Sequence, residues 1–264
     1  MQRLLLGLVV SSTLVACGGG GDDVAGGSET APSQAPPQGP TTAGIASPEG
    51  LWRGSSTDPF SSPRLLILEN GEVWNVYGGA NAISGVLQGV TSWNGSSISS
   101  TVTDFNGRAG SISASILAGH YTHTNGSQLI ALTLHEGMSV TLTTNFSGSS
   151  YEQPAKLSDI QGYWQALSWS KGSLIATDVN VAPDGALTSV SLYCSGSGTV
   201  APRASGKNVF NLVISFEGGP ACEFKGQTLS GIAFVEPLFA GATQLIFTGV
   251  QPDKLNAFVG YAMR

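Results

Sequence analysis

The chain has 264 residues and a formal net charge of −6, and only 11% of its residues are charged. Lys and Arg are scattered singly in an acidic background. That excludes a basic nucleic-acid face and a polybasic patch for gripping a membrane surface.

In chain order, the first element is an export signal. Met1, Gln2 and Arg3 precede the apolar run Leu4-Leu5-Leu6-Gly7-Leu8-Val9-Val10. A short basic start and a compact apolar stretch form the layout of a secretory signal. The run is far below the roughly 20 residues that a membrane-spanning helix needs. Leu14-Val15-Ala16-Cys17 follows. This resembles the lipobox of bacterial lipoproteins, in which an apolar residue and two small positions precede an obligatory cysteine. The resemblance implies that residues 1–16 are a removed signal peptide. It implies a diacylglycerol on the Cys17 sulfur and an acyl chain such as palmitate on the new amino group. Several chains give durable anchoring, because each buried methylene adds about 0.8 kcal/mol. Gly18, rather than aspartate, implies sorting to the Gram-negative outer membrane. The alternative is a plain signal peptide cut elsewhere, with Cys17 incidental.

Residues 17–47 are rich in Gly, Pro, Ser, Thr and Ala and hold no aromatic residue. Such a segment cannot bury enough apolar surface to offset its ordering entropy. It is expected to be a flexible tether with an end-to-end distance of about 30 Å. The body after it is long enough for one large or two small domains.

Within the body the strongest local signal is Asn-Gly, at Asn70-Gly71, Asn94-Gly95, Asn106-Gly107 and Asn125-Gly126, joined by Asp184-Gly185. These pairs predict type I′ hairpin turns. The flanks alternate. The expected buried sets are Ile112, Ala114 and Ile116; Ile130, Leu132 and Leu134; Met138, Val140, Leu142 and Phe146; and Phe210, Leu212, Ile214 and Phe216. Period-two patterning predicts an all-β protein of half-buried antiparallel sheets, with no amphipathic helix in the body.

A duplication follows from four ordered matches. Gly50-Leu51-Trp52 recurs as Gly162-Tyr163-Trp164, and Asn70-Gly71 as Asp184-Gly185. Gln128-Leu129-Ile130 recurs as Gln244-Leu245-Ile246, and Met138 lines up with Leu255. The drifting spacing argues for two copies of one fold, assigned to residues 48–152 and 153–264. Each copy has room for about seven or eight strands, as a small meander closed into a barrel or as a sandwich. A membrane barrel needs longer strands and aromatic girdles.

Once Cys17 is lipidated, Cys194 and Cys222 remain, and in an exported protein they are expected to form a disulfide. Closing that loop contributes about 3–4 kcal/mol on chain-entropy grounds. Chemistry is sparse. His120 and His123 point to opposite faces of a regular strand, and His135 sits in a hairpin loop, so no metal site is expected. No nucleophile elbow, phosphate loop, calcium loop or paired carboxylates stand out. No cofactor and no catalytic residue is nominated. Of the tryptophans, Trp52 and Trp164 occupy equivalent repeat positions and are expected in the core. Trp74 and Trp93 lack counterparts and are candidates for a binding surface.

The lipidated cysteine, the Gly/Pro-rich tether and the hairpin-rich domains together resemble Gram-negative surface lipoproteins such as transferrin-binding protein B and factor H-binding lipoprotein. The likeness is one of organisation, and no binding residue carries over. "CSGSGTVAPRASGKNVF", from Cys194 to Phe210, is also similar to segments of uncharacterised proteobacterial lipoproteins. The expected function is a non-enzymatic binding or structural role at the cell envelope. The membrane, through the lipid, and an unknown protein or small apolar ligand are the expected partners, without nucleic acid. A lipocalin-like carrier of a small apolar ligand and a hydrolase with dispersed catalytic residues are the alternatives.

Overall fold

The computed structural model describes residues 47–56, 62–79, 82–124, 127–134, 139–143, 151–238 and 241–264. Barrel 1 comprises β1 (Gly50–Ser56), β2 (Arg64–Ile67), β3 (Glu72–Gly79), β4 (Ala82–Asn94), β5 (Ser97–Asn106), β6 (Ser111–Thr124), β7 (Ser127–Leu134) and β8 (Ser139–Thr143). Each strand pairs antiparallel with the next, and β8 returns to β1. One turn of helix, α1 (Leu157–Ile160), was not foreseen by the strand patterning. Barrel 2 comprises β9 (Gly162–Ser170), β10 (Ser173–Val181), β11 (Ala186–Ser191), β12 (Cys194–Pro202), β13 (Phe210–Gly218), β14 (Thr228–Pro237), β15 (Thr243–Val250) and β16 (Ala257–Met263). It closes where β16 pairs with β9. The all-β class is present, and its form is the barrel rather than the sandwich. Closure removes the exposed edges that open sheets must protect.

The two barrels repeat each other bond for bond at their first turns. The indole Nε1 of Trp52 donates to the Pro48 carbonyl at 2.9 Å, and that of Trp164 to the Ile160 carbonyl at 2.7 Å. Gly71 N–H donates to Leu68 O, and Thr91 N–H donates to Gly71 O. Gly185 N–H donates to Ala182 O, and Val200 N–H donates to Gly185 O. Gln128-Leu129-Ile130 and Gln244-Leu245-Ile246 lie in the seventh strand of each barrel. Met138 lies outside the described residues.

These turns are not type I′. Gly71 and Gly185 have φ of +80° and +86°, but Asn70 and Asp184 stay at negative φ. Their side chains instead accept the N–H two residues on, from Glu72 and Ala186. That local bond holds the Asx residue in a right-handed turn and leaves only the glycine left-handed. At Asn94-Gly95 only the glycine has positive φ. Asn106 Oδ1 likewise accepts from Ala109 N–H, and the left-handed residue there is Gly110. Asn125-Gly126 lies outside the described residues. Among those residues, Lys171-Gly172 is the turn with two consecutive positive φ values.

The alternation of β13 is as expected, with Phe210, Leu212 and Ile214 buried inside barrel 2. On β6 the phase is reversed. Ile112 and Ile116 face outward, 42% and 47% exposed, while Leu117 is buried in barrel 1. Cross-strand register decides this: Phe105 and Ile112 are partners, and Phe105 belongs to the outer face. Side chains of the β7 and β8 sets lie outside the described residues.

A third apolar cluster lies between the barrels. It joins Leu66, Trp74 and Val86 of barrel 1 to Phe234, Ile246 and Tyr261 of barrel 2. The outer faces of β2–β4 and β14–β16 are therefore apolar because each is the other's solvent shield. Beside this cluster the fully buried Glu236 accepts hydrogen bonds from Arg53 and Arg64. Arg203 pairs with Glu69 at 2.8 Å across the same contact.

Candidate functional site

Barrel 2 is hollow. A cavity of about 180 Å³ occupies its lumen and reaches the end that carries the β9–β10 and β11–β12 turns and the β13–β14 loop. The opposite end is closed by Trp164, α1 and Phe210. Arg264 covers the Trp164 ring, its guanidinium carbon 4.0 Å from the ring centre, and donates to the carbonyls of Asp159 and Gln161.

Hydroxyls and apolar side chains share one side of the lumen. On β9–β11, Ser168, Ser170, Thr177, Ser189 and Ser191 face inward beside Ile175, Val179 and Leu187. Opposite them stand Phe216, Phe224, Phe247 and Phe258. Phe216 and Phe258 meet edge to face, with ring centres 5.8 Å apart, which suits the quadrupoles of aromatic rings. Two of these rings lie flat against backbone. A methyl added to Gly260 would come within 2.5 Å of the Phe247 ring, and one added to Gly249 within 2.7 Å of Phe258. The glycines let the rings hug the sheet instead of crossing the lumen.

Most of the hydroxyls already have partners. Ser168 and Thr177 bond each other at 3.0 Å, Ser170 donates to Glu223, and Ser191 donates to Cys194 O at 3.1 Å. Ser189 is different. It is 7% exposed, lines the cavity, and makes no hydrogen bond through its hydroxyl.

The internal repeat explains the hollow. Gly71 and Gly185 are equivalent, as are the Thr91 and Val200 amides that bond them. Counting along the paired strands makes Asn75, Tyr77 and Leu87 equivalent to Ser189, Ser191 and Gly196. Asn75 pairs across the sheet with Leu87, and Ser189 with Gly196. In barrel 1 the Tyr77 hydroxyl donates to the Asp104 carboxylate at 2.6 Å across the lumen side of β3 and β5. Burial, then the Asp104 charge and this hydrogen bond, push the Tyr77 phenol well above its usual range. Barrel 2 has Phe216 where barrel 1 has Asp104. The tier below is alike in both barrels: Trp52, Leu65 and Val73 against Trp164, Val179 and Leu187.

The Cys194–Cys222 disulfide is formed. It fastens the β13–β14 loop to the start of β12, and that loop delivers Ala221, Glu223 and Phe224 to the cavity mouth. Barrel 1 has only residues 107–110 at this place.

The surface expected at Trp74 and Trp93 is not one surface. Trp74 is 2% exposed and buried between the barrels. It faces outward from barrel 1, but barrel 2 covers it. Trp93 is 40% exposed near the end of β4, beside Gly71 and apart from the cavity. His120 is exposed, whereas Cys17, His135 and the His123 side chain lie outside the described residues. Among the described residues no cluster of three His, Cys, Asp or Glu side chains could hold a metal, and no helix is long and apolar enough to cross a membrane. The luminal polar wall and Glu236 escaped the sequence. The signal for Glu236 was a charge directly after the apolar run Ile232–Val235.

No protein-family model matches the chain, and no curated protein matches it. A crystal structure of a protein of unknown function from the DUF3598 family, from Nostoc punctiforme, is similar over 82% of this chain and 95% of that one. The identity is 11% and the TM-score 0.27, so the likeness assigns neither family nor activity.

Proposed function

We propose that this chain is a membrane-anchored lipoprotein of the cell envelope with a non-enzymatic role, and that barrel 2 carries a small, mainly apolar ligand. The observation that carries this reading is the cavity of about 180 Å³ inside barrel 2. A cavity of about 150 Å³ lined by apolar side chains holds benzene or xenon. The ligand is then the size of one ring or a short chain. Barrel 1 serves as the body against which barrel 2 is built. Lipidation at Cys17, as the lipobox implies, would hold the carrier at the outer membrane.

Titration calorimetry of the full-length protein with toluene tests the carrier role. Saturable binding is expected. It is expected to vanish in Gly196→Leu, which restores the residue that barrel 1 carries at the equivalent place. Ser191→Tyr is a second plug should the first variant not fold. No binding to the unaltered protein, or equal binding to a folded plugged variant, contradicts the reading.

A further inference from the structure

We propose that the barrel 2 ligand is an uncharged phenol or aromatic alcohol whose hydroxyl meets Ser189; this rests on the carrier reading and names the ligand class of the same cavity. Ser189 is the starting point. The residue is 7% exposed and lines the cavity, and among the described residues its hydroxyl has no hydrogen-bond partner. A hydroxyl facing an apolar cavity gains from a ligand group that bonds it. The neighbouring hydroxyls of Ser168, Thr177 and Ser191 have protein partners. Ser189 thus presents one vacant position for a hydrogen bond at a defined place on the wall.

The facing wall fixes the rest of the ligand. Phe216, Phe247 and Phe258 present ring faces and edges to the lumen. An aromatic ring packs there in offset or edge-to-face contact. Gly196, the cross-strand partner of Ser189, lets the hydroxyl lie close against the sheet: a methyl there would come within 2.5 Å of Ser189 Oγ and 2.8 Å of the Ile214 side chain. The volume admits a substituted single ring.

Charge selects against acids. No Lys, Arg or His lines the cavity, and its one carboxylate is Glu223 at the mouth. The mouth turns carry Lys171, Lys225 and Lys254, offset by Glu217 and Asp253, all exposed. Solvent screens these groups, and none reaches the lumen. A carboxylate entering the apolar interior would lose its hydration without gaining a counter-charge.

The test is calorimetry on the full-length protein with three probes of one shape: toluene, p-cresol and p-toluate. p-Cresol is expected to bind roughly five- to tenfold more tightly than toluene, the net worth of one hydrogen bond. p-Toluate is expected not to bind. Ser189→Ala should erase the preference for p-cresol while keeping toluene binding, and Ser189→Thr, which keeps the hydroxyl, should restore it. If toluene binds but p-cresol gains nothing, or keeps its gain in Ser189→Ala, the hydroxyl assignment falls while the carrier reading stands. If p-toluate binds as well as p-cresol, the charge argument falls. If none of the probes binds, both fall.

Discussion

The two barrels share one plan and, among the described residues, diverge in the tier of side chains above their tryptophans. Below it, each is built on a tryptophan whose indole donates to a carbonyl four residues upstream, beside a glycine-closed turn. Above it, barrel 1 places Asn75, Tyr77 and Leu87, with Tyr77 bonded to Asp104. Barrel 2 places Ser189, Ser191 and Gly196, and a cavity appears. A small barrel has room for its own side chains or for one small ligand. Among the described residues, barrel 1 puts large side chains in this tier and barrel 2 puts small ones.

Substitutions in each barrel test this difference. The largest effect belongs to the contact that makes the barrels one body. Glu236→Ala removes the buried carboxylate that both Arg53 and Arg64 engage. It should cost about 3–5 kcal/mol, the usual loss on deleting one partner of a buried ion pair. A thermal melt showing a loss below about 1 kcal/mol would mean the barrels do not depend on this group. Next is the staple found only in barrel 2. Replacing both Cys194 and Cys222 with Ser should cost about 3–4 kcal/mol, read by chemical denaturation. A fall near zero would show that the β13–β14 loop holds its place without it.

The smallest effects test the divergent tier itself. Leu87→Ala, in the core of barrel 1, should destabilise by at least about 2 kcal/mol through the space it leaves. Ser189→Ala, in the hollow lumen, should change stability by less than about 1 kcal/mol, because it removes a hydroxyl that bonds nothing. Equal costs at the two positions would argue against the difference in packing.

Much of this plan was legible in the chain. Trp52 and Trp164, and the glycines of Asn70-Gly71 and Asp184-Gly185, mark the repeat because tight turns and their glycines depend on local geometry. The alternation of Phe210, Leu212 and Ile214 gave the lumen side of β13. Alternation has a period but no sign, however. On β6, Ile112 and Ile116 alternate just as regularly and face out. Trp74 is hidden for the same reason: the outer face that holds it is covered by a second barrel, which no local pattern announces. The cavity needed register. Pairing Leu87 with Gly196 requires aligning the copies through a strand connection that is five residues shorter in barrel 2, where the offset falls from 114 to 109. Only the paired strands supply that alignment.

The contrast between large side chains in this tier of barrel 1 and a cavity in barrel 2 can be tested without knowing the ligand. A crystal of the protein under xenon pressure reports apolar voids directly. Xenon is expected inside barrel 2, between Ser189, Gly196 and Phe216, and none is expected between Asn75, Tyr77 and Leu87 of barrel 1. Xenon at both places, or at neither, would contradict the difference.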